Sequence, residues 1–138
     1  MKKYEFTDEV KHVYGITLHR IRHIKTGKLG GWLQSEKNLS QTGKSWVSDN
    51  AWVFGKAWVF GNAWVFGKAR VFDDAQIFDN AQVSGNVWVS GNAQVSGNAW
   101  VYGNAWVFDD AQVFDDAQVS GNAEVSGKTW VSGDKVIK

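Results

Sequence analysis

The sequence predicts an all-β solenoid in which short parallel strands stack coil upon coil. Three observations carry that expectation. From Ser45 to Asp134 the 138-residue chain reads as fifteen hexads in unbroken register, from SWVSDN through AWVFGK and AQVSGN to TWVSGD. The third residue of each hexad is Val, or Ile77, and the first is Ala in twelve of the fifteen. The fifth is always Gly or Asp, and the sixth Asn, Asp or Lys. A fixed short period decides architecture before any other feature does.

Within a hexad, alternation over the first three positions is that of a strand, with positions one and three on one face. Val is stiff at χ1 and suits strands. Gly, Asp and Asn tolerate positive φ, so positions five and six turn the chain. Strands this short leave no room for hairpin partners. Parallel pairing needs the chain to go round and return, and three strands per coil accomplish that. Ala and Val then fill a narrow prism in which bulkier residues would collide. Fifteen hexads make five triangular coils, a prism about 24 Å long at a rung spacing of about 4.8 Å.

This pattern, an aliphatic residue with a small residue two positions before it, resembles the left-handed parallel β-helix of the hexapeptide-repeat family. The resemblance spans residues 45–134, and the left hand is implied by it; the usual crossover rule favours the opposite hand. Residues 1–44 also resemble a known segment. In hexapeptide-repeat proteins of bacteria and their phages, a TLHRI strand and a GDLGG[FW]…E.NLS stretch precede the repeats. Here the second reads Lys28-Leu29-Gly30-Gly31-Trp32, with Lys in place of Asp. Such proteins are often labelled transferases or polymer-forming proteins because of their fold, and fold alone does not give function. The expected organisation is an N-terminal β cap over residues 1–44 and a hexapeptide-repeat β-helix over 45–138. In the cap, Val13-Tyr14-Gly15-Ile16 reads as a turn between two strands whose apolar side holds Ile16, Leu18, Ile21 and Ile24. The final Lys135-Val136-Ile137-Lys138 reads as a truncated hexad, an end either guarded by lysines or used for association.

Composition narrows the function. The net charge of +1 offers no bulk attraction to nucleic acid or an anionic membrane. The charge is polarised: residues 1–44 hold nine Lys/Arg against four acids, and residues 45–138 hold six against ten. There is no Cys, hence no disulfide or thiolate metal site. MKKYEFTDEV has acids where a signal peptide needs an apolar stretch, and no apolar run reaches membrane-spanning length. A cytoplasmic protein, or one assembled into a phage particle, is expected.

Stacking every third hexad sorts the outward position-two residues into three columns. One contains Trp46, Trp64, Gln82, Trp100 and Gln118. The second contains Trp52, Arg70, Trp88, Trp106 and Glu124. The third contains Trp58, Gln76, Gln94, Gln112 and Trp130. Arg70 is expected to lie sandwiched between Trp52 and Trp88. Position four changes by layer: aromatic in 63–80 and 99–116, Ser in 81–98 and 117–134. Rings are therefore expected to cover the serine sites beside them. Exposed Trp ladders imply contact with something. A second copy of the chain is the first candidate, in a trimer or an end-to-end assembly. Carbohydrate on the Trp and Gln columns is the alternative.

Acyltransfer, the commonest occupation of the family, is implied by resemblance only, in a degenerate or partner-dependent form. Its enzymes use a His base near a subunit interface, whereas His12, His19 and His23 all precede the repeats and no loop interrupts the hexads. The acid pairs Asp73-Asp74, Asp109-Asp110 and Asp115-Asp116 sit at corners and read as structural. No catalytic, cofactor-binding or metal-binding residue is expected.

Overall fold

The computed structural model describes residues 2–138. A hairpin of β1 (Tyr4–Val13) and β2 (Ile16–His23) leads to β3 (Leu29–Leu33) and a single 3-10 turn at Glu36–Asn38. Fifteen two-residue strands follow, from β4 (Trp46–Val47) to β18 (Trp130–Val131), one for each hexad. The last, β19, is Val136–Ile137. The hairpin turn has positive φ at both Tyr14 and Gly15, the two-residue geometry that matches strand twist. Leu18 and Ile21 are buried as expected, whereas Ile24 falls in the turn after β2 and is exposed.

The architecture is the left-handed parallel β-helix, with three sheets that each take every third strand. The long sheet runs β1-β2-β3-β5-β8-β11-β14-β17, its first two strands antiparallel. The six-stranded sheet runs from β4 to β19 and the five-stranded sheet from β6 to β18. Three further rungs extend the five coils of the hexads to six. They are β3, paired in parallel with β5, Leu39, bridged to Val59, and β19, paired with β16. The segment before residue 45 thus already contributes two rungs. Gly30 and Gly31 make this junction possible. A Cβ on Gly30 would stand 2.7 Å from the Val47 carbonyl oxygen, and one on Gly31 would stand 2.8 Å from that of Ala51.

Backbone pairing follows one rule. The N–H groups of positions two, four and six donate to carbonyls of the next coil, as in Trp52 N to Ala69 O (2.9 Å), Phe54 N to Val71 O (3.0 Å) and Lys56 N to Asp73 O (2.9 Å). The buried core is a continuous file of Ala and Val side chains. All fifteen position-five residues have positive φ, including Asp49, Asp73, Asp79, Asp109 and Asp115. The left-handed conformation therefore sits at position five, and position six is free to carry Asn, Asp or Lys.

The N-terminal end of the prism is closed by side chains. Lys3 Nζ donates to the Ser45 carbonyl (2.7 Å), and the Tyr4 hydroxyl donates to the Leu39 carbonyl (2.6 Å). Asn38, fully buried, accepts from Ser35 N (2.8 Å) and donates to the Ala57 carbonyl (2.8 Å).

Candidate interaction surface

Strand register assembles all three columns. Trp46, Trp64, Gln82, Trp100 and Gln118 align on the six-stranded sheet. On the five-stranded sheet Trp58, Gln76, Gln94, Gln112 and Trp130 align. On the long sheet Trp52, Arg70, Trp88, Trp106 and Glu124 align beneath Trp32, a buried ninth tryptophan that hexad counting does not reach. Six tryptophans, at positions 58, 64, 88, 100, 106 and 130, are 41% to 62% exposed.

The columns differ in how their rings are used. Gln76, Gln94 and Gln112 separate the five-stranded column's tryptophans by three rungs, and among the described residues these amides make no side-chain hydrogen bond to one another. Gln82 separates Trp64 from Trp100, and Trp64 Nε1 donates to the Lys44 carbonyl (3.2 Å). On the long sheet the upper rings are covered by cations. Lys11 Nζ lies 4.5 Å from the Trp32 ring centre and 5.6 Å from that of Trp52, and the Arg70 guanidinium lies 3.7 Å from Trp52. The expected sandwich is one-sided: Arg70 covers Trp52 and makes no comparable contact with Trp88. Its Nη1 turns to the Lys68 carbonyl (3.0 Å), and partial burial lowers its pKa.

Trp88 and Trp106 occupy adjacent rungs, and no cation covers either ring. Their rings stack at 5.3 Å with planes 7° apart. Trp88 also meets Phe72 edge-on at 5.9 Å, and Trp106 meets Phe108 edge-on at 6.4 Å. Their flat faces are thus largely turned to each other, and their edges point out.

Position four departs from expectation. Phe54 stacks on Phe72 (5.1 Å, 5°) and Phe60 on Phe78 (5.0 Å, 6°), so rings of neighbouring coils cover each other. Ser90 is not covered by a ring. It is the floor of a slot of about 240 Å³ walled by Phe72, Trp88, Trp106 and Phe108. The edge-on tryptophans hold Phe72 and Phe108 in place, so neither ring folds over the serine.

The corner acids have a structural partner. The Oδ2 of Asp49, Asp73, Asp79, Asp109 and Asp115 each accepts the N–H of the glycine one coil later: Gly67, Gly91, Gly97, Gly127 and Gly133, at 3.0–3.2 Å. Beside them runs a position-six amide ladder, Asn62 to Asn80 to Asn98 to Asp116. Among the described residues no group of three or more His, Cys, Asp or Glu is placed to hold a metal ion. The histidines belong to the cap: His19 stacks on Phe6 at 4.5 Å, His23 meets Trp46 edge-on at 5.4 Å, and His12 lies 3.1 Å from the Thr17 hydroxyl.

Comparison with protein families agrees with this geometry. The family model for the YdcK β-solenoid repeat matches residues 75–91, 93–109 and 117–133. The chain is a β-solenoid repeat protein. Its stacked parallel coils and the three matched stretches fit a hexapeptide-repeat-like β-helix family. No curated protein matches the chain. Among the described residues no helix is long and apolar enough to cross a membrane.

Proposed function

We propose that this solenoid is a non-enzymatic structural protein that self-associates through its tryptophan-bearing faces. The observation that carries the reading is the bare Trp88–Trp106 pair on the long sheet, flanked by Phe72 and Phe108 and left without a cover. An apolar patch of this kind on a straight sheet is what a protein contact uses. Closure of the N-terminal carbonyls by Lys3 and Tyr4 supports contact through the sides of the prism over stacking at that end.

The test is absolute mass by light scattering over a range of concentrations, for the native chain and for Trp88→Ala/Trp106→Ala. The expected result is a closed oligomer whose mass falls in the double variant. A strict monomer at all concentrations refutes the reading. Retention of a glycan that the double variant loses, with mass unchanged, transfers the face to carbohydrate binding.

A further inference from the structure

We propose that the long sheet pairs with the long sheet of a second copy, antiparallel, about a two-fold axis midway between the Trp88 and Trp106 rungs. This rests on the self-association reading and names its geometry.

The argument starts from the order of residues down the sheet. Successive rungs carry, at positions two and four, Arg70 and Phe72, Trp88 and Ser90, Trp106 and Phe108, Glu124 and Ser126. A two-fold axis along the strand direction reverses the order of rungs and keeps each residue's place along its strand. Centred between the two tryptophan rungs, it sets the first of these rungs against the fourth of the partner and the second against the third. Arg70 then faces Glu124 of the second copy, and the reverse, giving two symmetric ion pairs about 14 Å apart. Neither Arg70 nor Glu124 has an ion-pair partner within the chain among the described residues.

Shape follows the same register. Phe108 of the second copy faces the slot over Ser90, which is large enough to admit a phenyl ring, and Phe72 faces Ser126. Aromatic meets serine at all four places. The two stacked tryptophans meet their copies at the centre, where edges of large rings make the most buried part of a contact.

Other registers lose this match. Two-fold pairing with coils parallel puts Arg70 at the same height as its own copy, and Glu124 likewise, so like charges become neighbours. Moving the axis by half a rung, onto Trp88, sets Phe72 against Phe108 and Ser90 against itself. The other two faces offer no equivalent, because their position-two residues from Gln76 to Gln112 and from Gln82 to Gln118 include no charge.

The experiment is sedimentation equilibrium on the full chain, with unfolding midpoints recorded to confirm that each variant folds. The native chain is expected to be a dimer. Arg70→Glu and Glu124→Arg should each weaken it about tenfold or more in Kd, and the combined exchange should restore it. Ser90→Phe, which fills the slot, should weaken the dimer. Ser96→Phe, at the equivalent site on the five-stranded sheet, should leave it intact. An associating chain whose mass ignores both charge reversals overturns this geometry and leaves self-association standing. A native chain that is monomeric at every concentration overturns both.

Discussion

Asp109 allows the two demands of a solenoid corner to be measured separately. Its backbone has a φ of 60°, and its Oδ2 accepts the Gly127 N–H at 3.1 Å. Asn keeps both the tolerance of left-handed backbone and an acceptor oxygen, so Asp109→Asn should cost less than about 0.5 kcal/mol. Gly removes the acceptor and retains the backbone freedom. The lost hydrogen bond, at an exposed corner where water substitutes, and the greater entropy of the unfolded chain cost about 1 kcal/mol together, partly offset by relief of residual strain. Ala removes the acceptor and also strains the backbone by about 1–2 kcal/mol, for a total of about 2–3 kcal/mol. Urea unfolding followed by tryptophan fluorescence ranks the three, since the ranking of midpoints survives even where an array unfolds in segments. The expected order of stability is Asn, then Gly, then Ala. An Ala variant as stable as the Gly variant would refute the assignment of strain to this corner.

Three further outcomes follow from the prism and its N-terminal end. Val113 is fully buried in the core file, so Val113→Ala should cost about 2–3 kcal/mol in lost methyl burial plus a cavity, read as a lower urea midpoint. A change under about 0.5 kcal/mol would mean that the prism collapses around the gap. In the cap, burial lowers Lys3 to about 8, so between that pH and its ordinary 10.5 the folded chain binds fewer protons than the unfolded one. Stability should therefore rise with pH through this window, and the rise should vanish in Lys3→Met. Tyr4 acts in the opposite sense. Burial, aided by Glu36, raises its pKa, so its contribution is present below pH 10 and lost above it, a loss absent in Tyr4→Phe. Unfolding midpoints at pH 7.5, 10 and 11 check both, and a native profile that matches Lys3→Met throughout contradicts the burial of that amine.

Much of this molecule was legible from the hexad. Counting in eighteens placed Trp88 beside Trp106 and Gln94 between Gln76 and Gln112, and the register agrees. Restriction of position five to Gly and Asp marked the corners. The two earliest rungs were harder to read. Gly31-Trp32-Leu33 has the small-x-aliphatic pattern, but it pairs with Trp52-Val53 twenty residues on, out of the eighteen-residue period, and Leu39 likewise bridges to Val59. Trp32 and Asn38 belong to the same irregular stretch. Their burial depends on that junction, which has no period to announce it.

By itself, then, the sequence determined the coil, its three columns and the residues that share each face, because backbone pairing repeats every eighteen residues and needs only position to be known. The tertiary structure decided which rings are covered and which are bare. Arg70 chose Trp52 over Trp88, Phe54 found Phe72 and not a serine, and a slot opened above Ser90. Those outcomes turn on side-chain torsions and on neighbours one coil away, where Trp, Arg, Gln and Ser alternate without a period. Packing among them is settled only when the coils lie against one another.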